Sequence, residues 1–542
     1  MRGRLLIAAA IGALAGCASA SAATQVVIEG KGWGHGVGMS QWGAYGYARH
    51  GFGWRQILAH YYVGTQAAPA QILRVRVLLD EAEPRVAVAC AGGTHVTDRT
   101  GRGYALSAGT YSLGSGLKLP VGHRRVPVSG GRPHRETFAV VTVRRALRSP
   151  VVFGCSKAPL VVDGRAYRGL IVLRRTGRSL SIVNSLALDD YVRGVVAGEM
   201  PYRWSLAALE AQAVASRSYA LATQKPTKTF DLYADTRSQV YGGVAYETPR
   251  SNVAVEQTAN RVLMWRGHVA TTYFFSTSGG RTADVRDVWP KLGDVPYLRS
   301  VADPYDAASP HHVWGPIVLD VGRVAKRLNV PGGDLSVERT PSGRVSAVRV
   351  GSRRVDANTF RQAFGLSSTW FDVGELSLAA DRAQVRYGGT LDLTARAEGL
   401  GRARLQRRVG AGVWKTVKRV DGTESLTLEP QGRTVYRLSV DGVRGPVASV
   451  GVVPELDVTP AATEVLAGSV TPVSRGAVSV WRRGATGWKL VAHPRVDGHG
   501  GFRAPLRLHA GDYRVSVGET TRFAAATATV RITPRLLSSL TH

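Results

Sequence analysis

The residues of this chain best suited to chemistry are a glutamate between two helical segments and several neutral hydrogen bonders in a glycine-rich stretch. Glu199 stands in "VAGEMP", after Gly198, which can end one helix, and before Pro201, which precedes the next. The C-terminus of a helix carries partial negative charge, which disfavours an ionised carboxylate and raises its pKa. A carboxyl group still protonated near neutral pH is what a glycosidic oxygen requires from a general acid. The plain alternative is an exposed surface glutamate. The glycine-rich stretch is "GKGWGHGVGMSQWGAYG" (30–46). Glycine loses the most freedom on folding, so such a run implies sharp bends or close packing. Phosphate cradling does not fit, because no Gly-Lys-Ser/Thr follows Gly38, and the dinucleotide pattern fails as well. His35, Ser40 and Gln41 remain, flanked by aromatic faces, a mixture that suits a sugar. They can instead serve only to shape the loop.

Further polar candidates come from "SLAALEAQAVASRSYALAT" (205–223), where Gln212, Ser216 and Tyr219 are spaced four and three apart on one helical face, with Arg217 beside it. Either a sugar groove or a solvated surface is compatible with that face. "SQVYGG" (238–243) adds Gln239 and Tyr241, and "FFSTSGG" (274–280) adds Ser276 and Ser278. The serines are not in a G-x-S-x-G elbow, so a serine nucleophile is not expected. His35, His50 and His60 form no H-E-x-x-H, and no metal or other cofactor is expected. Were Glu199 not the acid, Asp235 and Asp284 would be the next carboxylates to consider.

The elements that must position these residues belong to an α+β, strand-rich domain with a few helices. Strands are predicted over 72–79, 85–89, 137–147, 169–175 and 179–186, with a further strand-rich region at 268–282. "LDDYVRGVVAGE" (188–199) repeats Leu188, Tyr191, Val192 and Val195 at helical spacing. The second helix can be capped by Ser205 and turn Leu206, Leu209, Ala213 and Ala220 to the core. A third is expected over 318–329. After Val373 helical periodicity ceases, and two all-β, sandwich-like modules are expected at 376–453 and 454–535. They echo each other: "GVWKTVKRVDG" (412–422) then "TVYRLSV" (434–440), against "GWKLVAHPRVDG" (487–498) then "GDYRVSV" (511–517). They can bind a wall polymer or act as spacers.

Of the 542 residues, 70 are Lys or Arg and 39 Asp or Glu, a net charge of +31. That charge attracts polyanions such as nucleic acid, an acidic membrane or an anionic wall polymer; no nucleic-acid-binding module is recognisable, so nucleic acid is not expected, and charge alone does not name the partner. The N-terminus, "MRGRLLIAAAIGALAGCASASAA", reads as a secretory signal peptide over 1–23. Cleavage after Ala22 gives a secreted protein. "LAGC" reads instead as a lipobox, which would anchor the chain to a membrane through Cys17. Either way Cys90 and Cys155 remain as an even pair in an oxidising compartment, where a disulfide is expected. A metal site with His95, His123 and His134 is the rival reading, although the spacings match no standard zinc pattern.

Several long blocks carry a family resemblance. "LALDDYVRGVVAGEMPYRWSLAALEAQAVASRSYAL", "SQVYGG", "FSTSGGRT", "PYLRSVADPYD", "FRQAFGLSSTWF" and "GWGHGVGMSQWGAYGYARHGFGWRQILAHYYVGT" resemble the motifs of the stage II sporulation protein D and amidase-enhancer family. The resemblance covers about residues 25–373. It implies a secreted peptidoglycan protein, with lytic transglycosylase activity on glycan strands in the sporulation branch and enhancement of an amidase in the other. It also implies that Glu199, the glutamate of "GEM", is the acid/base. One departure stands out. In the family the H-G-V-G-M-S-Q block closes the domain, after the L-x-S-T-W-F segment, whereas here it opens it, which implies a circular permutation. The strand beginning near Gln25 is therefore expected beside the segment around Thr369–Val373.

Overall fold

The computed structural model describes residues 24–127 and 138–540, which are rich in strands, with the longer helices gathered in 41–61 and 188–257. The expected leader over 1–23, with Cys17, lies outside the described residues, as does His134. The first strand, β1 (Gln25–Lys31), buries Val26, Val27 and Ile28 in succession because it is central in its sheet and covered on both faces. It pairs antiparallel with Val313–Asp320 on one side and with Phe371–Ala380 on the other, Gln25 opposite Leu376 and Gly30 opposite Phe371. The displaced block thus starts beside the segment that would precede it in the family's order.

The Phe371–Ala380 strand runs straight through the border expected near residue 373. It continues the sheet to Leu391–Glu398 and Gly422–Leu428, so one five-stranded sheet serves both sides. Val27 packs in one core with Leu376, Leu393 and Leu438. A composition change marked that border, but hydrogen bonding and apolar burial cross it.

A seven-stranded sheet carries Arg74–Glu83, Ser179–Ala187, Leu170–Thr176 and Val151–Cys155 among its members. Next to it a four-stranded sheet contains Arg85–Cys90. The Cys90–Cys155 disulfide joins the two sheets, with Cα atoms 5.9 Å apart. Closing a loop of 65 residues, it stabilises the fold by about 4 kcal/mol on a chain-entropy basis.

The helices form on signals that are local in the sequence. α1 (Gln41–Arg49) begins inside the glycine-rich block, where Ser40 accepts a hydrogen bond from the Gly43 N–H at 3.0 Å. α2 (Trp54–Tyr61) follows after a short turn. α3 (Leu188–Glu199) leaves the Ser179–Ala187 strand directly, with Asp189 and Asp190 at its positive end. α4 (Leu206–Thr223) packs against α1, α2, α3 and α5 (Pro249–Gln257), which its many alanines and serines permit. Ser205 holds the N-cap position of α4, but its side chain makes no capping bond.

Three expectations change. The stretch 30–46 is a loop only over 32–38, since β1 runs to Lys31 and a two-residue strand and α1 follow. Residues 268–282 hold only two two-residue strands, because their backbone bonds go to the glycine-rich loop instead of a regular sheet. The helix expected over 318–329 is Val321–Leu328, its first residues being taken by the strand that pairs with β1.

The C-terminal echo is a repeat in space as well. Tyr436 and Tyr513 are both buried, and the arginine after each lies over a tryptophan, Arg437 over Trp414 at 3.9 Å and Arg514 over Trp488 at 4.0 Å.

Candidate active site around Glu199

Glu199 is the last residue of α3 and is half-buried. Its pKa is raised, and the main cause is burial, opposed by a hydrogen bond from the Val240 N–H. Position near a helix end was the sequence argument for a raised pKa. Loss of solvent is the physical cause found. Tyr191 and Tyr219 lie near enough to feel the Glu199 charge.

Four of the polar residues named from the sequence form one network beneath this carboxyl group. The Gln41 side-chain amide donates to the Glu199 backbone carbonyl at 3.0 Å and to Gln212 Oε1 at 3.4 Å. Gln212 Nε2 donates to Ser216 Oγ at 3.0 Å, and Gln239 Nε2 to the Ser216 carbonyl at 3.4 Å. The Tyr191 hydroxyl completes the chain by donating to Gln239 Oε1 at 3.2 Å. Gln212 and Ser216 are fully buried, so their helix face is not a solvated one. The network locks the start of α1 to the end of α3 and the middle of α4. It can hold the Glu199 backbone in place.

Other named residues are supports. Arg217 is fully buried, pairs with Asp189 at 2.7 Å, and donates to the Arg261 carbonyl at 2.9 Å, fastening α4 to α3 and to the strand Arg261–Trp265. Tyr241 stacks on Tyr191 and donates to Asn184 Oδ1 at 2.8 Å. His35 uses both ring nitrogens: Nδ1 accepts from the Val37 N–H and Nε2 donates to the Phe274 carbonyl, each at 3.1 Å. Burial lowers its pKa to about 4, so it is neutral and shapes the loop. Tyr219, half-buried, meets Tyr273 and Phe274 edge to face. Asp235 and Asp284 are held low by arginine partners, Arg237 for the first, Arg286 and Arg299 for the second. They therefore remain ionised and make poor proton donors.

Gly32, Gly34, Gly36 and Gly38 alternate at φ +74°, +110°, +88° and +79°, left-handed conformations that explain the glycine run. The loop they build is anchored on Asp306, which is fully buried. Asp306 accepts from the Ser40 hydroxyl at 2.9 Å, the Ser278 and Gly279 N–H groups at 3.0 and 2.8 Å, and His312 Nδ1 at 3.0 Å. Ser40 and Ser278 are thus joined to each other and used structurally. The Ser276 carbonyl accepts from the Trp42 N–H, and its hydroxyl bonds to Thr277.

Sequence reasoning gave no role of its own to the aromatic cluster of Trp42, Tyr45 and Trp204. Trp42 and Trp204 lie with ring centroids 4.7 Å apart, and Tyr45 stacks on Trp204 at 4.6 Å. All three are half-buried. Trp42 adjoins Gln41, and Trp204 is in the "PYRW" that follows "GEM", so their positions were the available signal. Asp303 and Asp306 were also passed over, although "ADPYD" contains both.

Residues 176–265 match the family model described as Stage II sporulation protein. The amidase enhancer of Bacillus subtilis is 41% identical over 116 residues, 21% of this chain and 15% of that protein. An uncharacterized protein of Brachyspira hyodysenteriae is 35% identical over 146 residues, 26% of this chain and 38% of its own length. Stage II sporulation protein D of Bacillus subtilis is 29% identical over 243 residues, 40% of this chain and 66% of that protein. The chain thus spans between 15% and 66% of these relatives.

Proposed function

We propose, for a chain that belongs to the family of the stage II sporulation protein D and the amidase enhancers, that it works on the bacterial cell wall and cleaves peptidoglycan glycan strands as a lytic transglycosylase. The observation that carries this reading is the half-buried Glu199, with its pKa raised by burial and its backbone held by Gln41. Protonated, it gives its proton to the oxygen between MurNAc C1 and GlcNAc as the C1–O bond breaks. As carboxylate, it takes the proton of the MurNAc 6-hydroxyl while O6 bonds to C1. The product is a 1,6-anhydro sugar, and one carboxyl group suffices because no second one is needed to activate water. The rings of Trp42, Tyr45 and Trp204 supply apolar faces against which sugar rings can pack. The leader over 1–23 is in keeping with secretion, or with anchoring through Cys17, and the +31 charge with anionic wall polymers.

A non-catalytic, wall-binding enhancer of an amidase is the second reading, favoured by the 41% identity to the amidase enhancer. Mass spectrometry of glycan fragments after digestion with the pure protein separates the two. Anhydro ends support the transglycosylase, reducing ends indicate a hydrolase, and wall binding without fragments supports the enhancer.

A further inference from the structure

Arg344 is 2% exposed, yet none of its three guanidinium nitrogens has a hydrogen-bond partner. Arg217, equally buried, shows what such a cation ordinarily obtains: a carboxylate and backbone carbonyls. A buried charge without partners is costly and is normally matched by an opposite one. The charge acting on Arg344 is that of Arg361, also positive, and burial together with that repulsion lowers its pKa to about 10. Lys31, which is exposed, and Arg344 each lie 5.5 Å from the centre of the half-exposed Trp370 ring. Among the described residues no acid pairs with Lys31, Arg344 or Arg361. The glycine-rich loop is fitted to this place, since a Cβ on Gly36 would collide with the Arg344 guanidinium.

We propose that Arg344, with Lys31 at the same Trp370 ring, forms an anion site that takes a carboxylate. A guanidinium presents its donors as a planar fork that matches a carboxylate in two parallel bonds. Arg344, which is buried, makes those bonds, and Lys31, exposed, and Trp370, half-exposed, are the members of the site that reach solvent. The carboxylate is either a free small anion or one carried by a wall polymer. The site stands whether or not Glu199 cleaves glycan, because it shares no residue with the network under Glu199.

Calorimetric titration of the full chain with acetate tests this. Saturable binding is expected, at least about tenfold weaker in Arg344→Gln, the loss usual for hydrogen bonds to a charged group. An equal response in both proteins, or tighter binding of inorganic phosphate than of acetate, overturns the proposal. N-acetylmuramic acid, with its lactyl carboxylate, separates the sources. Binding tighter than acetate and lost in Arg344→Gln marks a polymer-borne carboxylate, and Arg344-dependent binding no tighter than acetate marks a free one. If Arg344→Gln does not fold, wild-type crystals soaked in sodium acetate decide: carboxylate density within hydrogen-bond distance of the Arg344 guanidinium supports the site, and its absence there overturns it.

Discussion

Glu199 and the pair Asp303–Asp306 are all carboxyl groups withdrawn from water, yet their surroundings differ in kind. Glu199 is half-buried at a helix end, opposed in its pKa rise by one backbone N–H and close to aromatic rings. Asp306 is sealed and accepts four hydrogen bonds from Ser40, Ser278, Gly279 and His312. Asp303 is raised to about 7, first by burial and then by the Asp306 charge, while Tyr61 donates to it at 2.9 Å. A proton donor needs an open side and a loosely supported anion. Asp306, which ties the loops together, has both oxygens in use, whereas Asp303 Oδ2 is buried without a partner. The first arrangement suits chemistry, the second architecture.

The largest expected effect that tests this contrast is on Glu199→Gln. Glycan cleavage should fall at least about hundredfold, as for loss of a general acid/base. The melting temperature should hold, because no hydrogen bond of the network uses the Glu199 side chain. Near-normal cleavage by the folded variant would remove Glu199 from the chemistry. Asp306→Ala should do the reverse, costing about 3 kcal/mol of stability in urea titration by stranding buried donors. A loss below about 1 kcal/mol would mean that Asp306 does not anchor the loop. Smaller again is Trp204→Ala, predicted to weaken glycan binding about tenfold through lost ring contact, with the saturated rate less affected. Unchanged binding would exclude the aromatic cluster from the groove.

A further test concerns pH. Asp303 binds its proton more tightly folded, at about 7, than unfolded, at its ordinary 3.8. The folded chain therefore holds the extra proton between those values, so stability from this group is full below about pH 4 and is lost as pH rises towards 7. The melting temperature of Asp303→Asn should decline less over that interval than that of the unaltered protein. Parallel curves would show that Asp303 is not perturbed. Glu199 has the same sign: cleavage should fall as pH rises through its raised pKa, since the proton to be donated is gone.

Local patterns in the sequence were enough for some of this. The apolar spacing of 188–199 and 205–223 anticipated α3 and α4, because a helix face repeats within the chain itself. The two cysteines anticipated a disulfide, and the Trp, Tyr-Arg echo of the C-terminal strands anticipated a repeat, since both depend on residue type and order. The strand beside Phe371 was anticipated only through the family's motif order, not from spacing. What tertiary structure alone decided is which polar side chains are open. Gln212, Ser216 and Arg217 share a helix whose sequence is compatible with a wet face, and packing of α1, α2, α3 and α5 around it buries them. His35 has an ordinary sugar-binding look until the Phe274 carbonyl and the Val37 N–H occupy its nitrogens. Arg344 has no sequence signal at all, because its isolation depends on Gly36 and Trp370 arriving from opposite ends of the domain. Burial and hydrogen-bond satisfaction are sums over residues distant in sequence, and no local pattern encodes them.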